Sequence, residues 1–230
     1  KNGLVMEKKM EFLNLGICGA TTEQIFTGEI ESLQEFSPTL TIMMGGTNDT
    51  CNPDSLRELE DIKISYEKIL NSLTQYSKRT LVATIPPVIV SSFMKRHAES
   101  EFRGKGPMVR VLEANKMIVQ LAKKFNFEVV DIFAALNQYD LNCETSPLLN
   151  DYNFKFDDGC HPNEFGYKLM AEAFKKAIVA GDYDCSQVAC IGDSITFGYY
   201  MDGAGKGEVD GKNYPGQLHK LLLEFYAAKK

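Results

Sequence analysis

Five short runs rich in β-branched and apolar residues, separated by long stretches of helical period, constrain this chain more than any other feature. The runs are Glu11–Leu15, Thr39–Met44, Thr80–Ile85, Glu128–Ile132 and Gln187–Ile191. Parallel neighbours must be joined by a crossover of a dozen or more residues, usually a helix, whereas antiparallel neighbours need only a tight turn. The intervening segments suit the crossover. Ser55–Tyr76 repeats Leu56, Leu59, Ile62, Ile64, Tyr66, Ile69 and Leu73 at roughly helical spacing, and Met108–Phe125 repeats Val109, Leu112, Met117, Ile118 and Leu121. Further helices are predicted after Gly19, over Pro162–Val179 with proline in the first turn, and over Tyr214–Ala228. The expected architecture is three-layered α/β, a five-stranded parallel sheet with helices on both faces.

Composition narrows the function. With 230 residues, 44% hydrophobic and 24% charged, the chain has material for one large core, so residues 1–230 are read as a single domain. A net charge of -6 has the wrong sign for neutralising a phosphate backbone, so no nucleic-acid partner is expected. No window approaches the roughly 18 apolar residues of a membrane-spanning helix, so a soluble protein is expected. Because the sequence starts at Lys1 and not at Met, the compartment stays open between cytoplasmic and exported with a signal ahead of Lys1. Six cysteines show no CxxC or Cys/His ligand spacing and read as free thiols, and three histidines disfavour a multi-histidine metal site. No metal or cofactor is called for.

Long connections follow three of the runs: Pro86–Pro107, Ala134–Asp158 and Gly198–Asn213, the last with five glycines. In open parallel sheets ligands bind beyond the carboxyl ends of the strands, so these segments are expected to surround a site. The glycines of the third match neither GxGxxG nor GxxxxGK[ST], so a phosphate loop is disfavoured and a flexible loop expected.

Four short segments sit where a run ends or a helix starts. Ile191-Gly192-Asp193-Ser194 can present a serine on a tight turn, although Ser or Asp there can equally cap a helix. It is not the GxSxG elbow, because Thr196 stands at the second glycine. In Asp158-Gly159-Cys160-His161-Pro162-Asn163 an aspartate three residues before a histidine can fold back onto its Nδ1–H, leaving Nε2 for a serine proton; Asp157 fits on spacing alone, with poorer reach. Gly45-Gly46-Thr47-Asn48-Asp49 offers an Asn amide at a strand end, a suitable donor to a developing oxyanion or simply an Asx turn. Gly19, in Asn14–Thr22, offers a backbone N–H before a helix.

Together these segments resemble the SGNH hydrolases, or GDSL esterases and lipases: Ser194 in IGDSITFG, Gly19 in NLGICGATT, Asn48 in GGTND, and His161 with Asp158 in DGCHPN. The resemblance implies a flavodoxin-like fold and a carboxylic ester hydrolase. It implies Ser194 as nucleophile, His161 as general base and then acid, Asp158 as the residue orienting it, and an oxyanion hole of the Ser194 N–H, the Gly19 N–H and the Asn48 side chain. The order is altered, because residues 1–182 carry the Gly, Asn and DxxH motifs and residues 183–230 carry GDS, which the family places first. The sequence therefore reads as circularly permuted, with Tyr214–Ala228 leading through Lys1–Lys9 into Glu11–Leu15. A window across tandem repeats gives the same order, and with it a homodimer or swapped assembly in which Ser194 serves another copy.

The expected substrate is a small-molecule or glycan ester. Connections mixing Tyr199, Tyr200, Phe93 and Phe102 with Lys95, Arg96, Glu99 and Arg103 suit a short acyl group on a polar alcohol. The segment Ala83–Val88 resembles the equivalent strand end of carbohydrate-directed members. An acetylesterase is the leading expectation. A lysophospholipase or thioesterase, a catalytically silent carbohydrate-binding module and a nucleotide-binding flavodoxin-like domain are the alternatives.

Overall fold

The computed structural model describes residues 10–229. Along the chain these form β1 (Glu11–Asn14), α1 (Thr22–Phe36), β2 (Leu40–Met44), α2 (Thr47–Cys51), α3 (Leu59–Tyr76), β3 (Thr80–Ala83), α4 (Val90–Met94), α5 (Pro107–Lys124), β4 (Glu128–Val130), α6 (Ile132–Asn137), α7 (Glu164–Ala180), β5 (Gln187–Gly192), α8 (Ser194–Phe197) and α9 (Tyr214–Ala227). The five strands make one parallel sheet in the order β1-β5-β2-β3-β4. Counting β5 first turns this into the doubly wound order 2-1-3-4-5, so the arrangement is flavodoxin-like with a permuted chain order.

Alternation along the strands divides the core in two. Met43, Val82, Ala189 and Ile191 face a layer from α1, α3 and α5 that includes Ile25, Leu33, Tyr66, Ile69 and Ile118. Ile42, Met44, Leu81, Val188 and Cys190 face the opposite layer, where α7 and α9 contribute Tyr167, Phe174, Tyr214 and Leu218. Strands covered on both faces have no solvent side, which is why the runs read as continuous apolar segments. In this arrangement α9 lies against β1, with the His219 and Phe12 rings stacked 4.5 Å apart. That is where a helix leading into β1 would lie; the expected linker Lys1–Lys9 falls outside the described residues.

Several boundaries differ from the sequence reading, each for a local reason. The run Thr80–Ile85 leaves the sheet early because Asn115 captures Ile85, taking its N–H at 2.7 Å and donating to its carbonyl at 2.9 Å. Ile132 belongs to α6, because Asp131 caps that helix by accepting from the Ala134 N–H at 3.0 Å. The helix expected from Ser55 starts at Leu59, since Pro53–Ser55 form a separate turn capped by Asn52. Pro162 precedes its helix, and Asn163 caps α7 by accepting from the Gly166 N–H at 3.0 Å.

None of the six cysteines forms a disulfide. Among the described residues, no helix is long and apolar enough to cross a membrane.

Candidate active site

Register brings the motifs to one rim. Met44 pairs with Gly192, so the segments carrying Asn48 and Ser194 leave adjacent strand ends. The loop after β1 follows the same rim, with the Ile17 N–H donating to the Gly192 carbonyl at 3.0 Å. Gly192 cannot carry a side chain, because a Cβ there would stand 2.0 Å from the Met44 carbonyl oxygen. Gly19 is fixed for a different reason: its φ of +76° is a left-handed conformation that other residues enter at a cost. The Asn48 amide donates to the Ala20 carbonyl at 3.0 Å, tying Asn48 to the residue next to Gly19. Below it, Asp49 accepts from the Thr22 N–H at 2.9 Å and from its hydroxyl at 2.8 Å, and faces Arg57 at 3.4 Å. Asp49 therefore clamps α2 to the start of α1.

The Ser194 hydroxyl lies 2.9 Å from His161 Nε2 within the same polypeptide, and His161 Nδ1 faces both Asp158 oxygens at 3.0 and 3.1 Å. The two side chains of the Asp158–His161 pair are only 11% and 14% exposed. Burial by itself pushes the Asp158 carboxyl up, but donation from the His161 ring, its charge, and the N–H groups of His161 and Cys160 outweigh burial and leave the carboxyl below its usual range. This carboxyl therefore stays ionised at neutral pH.

The loop holding this pair is braced from the side. Asp157 accepts from Ser92 at 2.5 Å and from Lys95 at 2.6 Å, while Arg96 donates to the carbonyls of Asp157 and Asp158. Of the two aspartates, Asp157 faces the α4 segment and Asp158, the one with the better reach, faces the imidazole. Tyr199 and Tyr200, from the third long connection, stand against the His161 ring at 5.6 and 5.4 Å. Phe93 and Phe102, expected beside the substrate, are instead core residues packed edge to face at 6.3 Å. Arg103 turns away to Glu58.

Two buried acids lie beneath the turn Gly192 to Ser194. Asp193 caps α8 by accepting from the Ile195 N–H at 2.9 Å, and burial pushes its carboxyl up to about 6 against the opposing hydrogen bonds of Ile195 and Thr47. Glu29 reaches from α1 to accept the Gly192 N–H at 2.9 Å; burial first, and the nearby Asp193 charge with it, raise this carboxyl well above its usual range. Sequence reasoning passed over Glu29. Its signal was present, since Ile25, Glu29 and Leu33 recur every four residues and place an acid in the apolar stripe of α1.

Asp158, Cys160 and His161 offer ligand atoms within 4.8 Å of one another. Both imidazole nitrogens already face partners, Asp158 on one side and Ser194 on the other.

The family model for GDSL-like lipases and acylhydrolases matches residues 4–174. The chain belongs to that family. It is a carboxylic ester hydrolase. The matched span contains Gly19, Asn48, Asp158 and His161 but stops before Ser194, in keeping with the altered chain order. Solved structures share the fold. A lipase/acylhydrolase from Enterococcus faecalis is 19% identical over 74% of this chain and 75% of its own, with a TM-score of 0.52. A GDSL-like lipase from Bacteroides thetaiotaomicron is 19% identical over 71% and 73%, with a TM-score of 0.54. A catalytic mutant of an acetylxylan esterase from Geobacillus stearothermophilus is 20% identical over 70% and 68%, with a TM-score of 0.53. No curated protein matches the chain.

Proposed function

We propose that the protein hydrolyses short-chain esters, acetyl groups on a carbohydrate foremost, through an acyl enzyme on Ser194. The observation that carries this reading is the hydrogen-bonded row Ser194, His161, Asp158 within one polypeptide. Asp158 holds Nδ1 protonated, so Nε2 carries the lone pair that accepts the serine proton as Oγ attacks the ester carbonyl. The resulting oxyanion is received by the N–H groups of Ser194 and Gly19 and by the Asn48 amide. His161 then protonates the departing alkoxide, and water repeats the sequence to release the acid. No nucleic acid, metal or cofactor enters these steps.

A fluorophosphonate probe tests the nucleophile. Ser194 is expected to be labelled in the folded protein, with Ser194→Ala blank; a folded wild-type protein that stays unlabelled would favour a silent binding module. Asn48→Ala is expected to slow acetyl-ester turnover by 10²- to 10³-fold, equivalent to about 2.7–4 kcal/mol of barrier, chiefly in kcat. An unchanged kcat would remove Asn48 from the oxyanion hole. Comparing acetyl with octanoyl and decanoyl esters sets the acyl length, and a preference for the long chains would favour a lysophospholipase or thioesterase.

A further inference from the structure

We propose that Tyr199 and Tyr200 form an open aromatic platform on which the alcohol half of the substrate, a pyranose ring, stacks; this rests on the triad reading above and extends it to the leaving group. The reaction itself says which half belongs there. Because His161 hands its proton to the departing alkoxide, the alcohol half must lie on the imidazole side of the scissile bond. The rings on that side are Tyr199, inclined at 49° to the imidazole, and Tyr200, which is edge-on to it at 86°.

These rings are not core. Tyr66, Tyr167 and Tyr214 are fully buried, whereas Tyr199 and Tyr200 remain 42% and 37% exposed and stand 4.2 Å from each other. Tyr200 is backed by Phe154 at 5.2 Å and Phe156 at 5.3 Å, so the platform has an aromatic floor. Tyr200 also has φ +73°, a left-handed conformation costly for a bulky residue, and such strain persists where surrounding structure holds it and gathers at ligand sites. The Lys155 ammonium lies over both phenylalanine rings, at 5.7 and 5.8 Å, and gives the floor a charged edge.

A pyranose presents an apolar C–H face bordered by hydroxyls, which suits an exposed aromatic surface with phenol and ammonium groups at its margin. An acyl chain is apolar all round and needs enclosure. A glycerophosphate has no flat apolar face to stack.

The test compares xylose tetraacetate with ethyl acetate, which share an acyl group and differ in whether the alcohol can stack. Tyr199→Leu and Tyr200→Asn, the latter tolerant of the left-handed backbone, are each expected to lower the ratio of kcat/KM on the pyranose ester to that on ethyl acetate by tenfold or more. The loss should appear mainly in KM, and Tyr199→Phe should keep the ratio within about twofold, since the phenyl face remains. An unchanged ratio in both variants overturns the platform, whether activity on the two esters falls equally or not at all. Failure of the underlying reading looks different: Ser194→Ala would then keep its turnover of ethyl acetate.

Discussion

The two halves of the site are held by opposite means. The nucleophile turn, Gly192 to Ser194, is a direct continuation of a central strand: Gly192 is pressed against Met44, Glu29 holds its N–H from below, and Asp193 is only 1% exposed. The histidine loop lies between α6 and α7 and is fixed by polar contacts, among them Ser92 and Lys95 on Asp157 and the Asp158 oxygens on its own backbone. The same residue type behaves differently in the two places. Asp158, beside the His161 ring and its charge, stays below the usual carboxylate range, while Asp193 is so fully buried that it is pushed up to about 6 despite its hydrogen bonds from Ile195 and Thr47. Burial raises both, and its balance against the hydrogen bonds and the neighbouring charge decides the outcome.

The comparison can be broken most decisively at Asp158. Asp158→Asn is expected to lower kcat on acetyl esters by about 10⁴-fold, because the amide no longer fixes the imidazole tautomer. Its fold should persist, with circular dichroism close to wild type. A loss below tenfold would mean that Asp158 only shapes the loop.

At Asp193 the effect lies in stability, with a definite sign. The native carboxyl keeps its proton up to about pH 6, whereas an unfolded Asp releases it near about 3.9. Between these values the native state binds more protons, so this group's contribution is fully present at low pH and is lost as pH rises through 6. Roughly two units correspond to about 3 kcal/mol. Urea unfolding of wild type and Asp193→Asn at pH 4 and pH 7 should show the difference between the two proteins changing by about that amount, in favour of the variant at pH 7. A difference independent of pH would place the Asp193 carboxyl in its ordinary range.

The smallest effect belongs to the bracing of the histidine loop. Lys95 is about half exposed, so its ion pairs are screened by solvent and Lys95→Met should leave the thermal melting point nearly unchanged. Turnover should stay within a few-fold. A tenfold loss would show the loop to be as rigidly coupled to the chemistry as the nucleophile turn.

The order of strands and helices was legible because the central runs, in β2, β3 and β5, are buried nearly throughout and each amphipathic helix is buried on one face, so periodicity records burial. The residue types at the rim, Ser194, His161, Asn48 and Gly19, were legible for a related reason: they stand where regular structure stops, and Gly19 sits at a backbone angle that glycine adopts readily. Spacing favoured Asp158 over Asp157 by reach but could not show what Asp157 does; the position of α4 gives it Ser92 and Lys95 as partners. Nor could it show that Phe93 and Phe102 turn inward while Tyr199 and Tyr200 stay outside. The upward shift of Glu29 and the displaced titration of Asp193 were likewise decided by the tertiary structure alone. Desolvation depends on what every neighbouring element packs against a group, and some of those neighbours lie far away along the chain: Glu29 meets Gly192 across 163 positions.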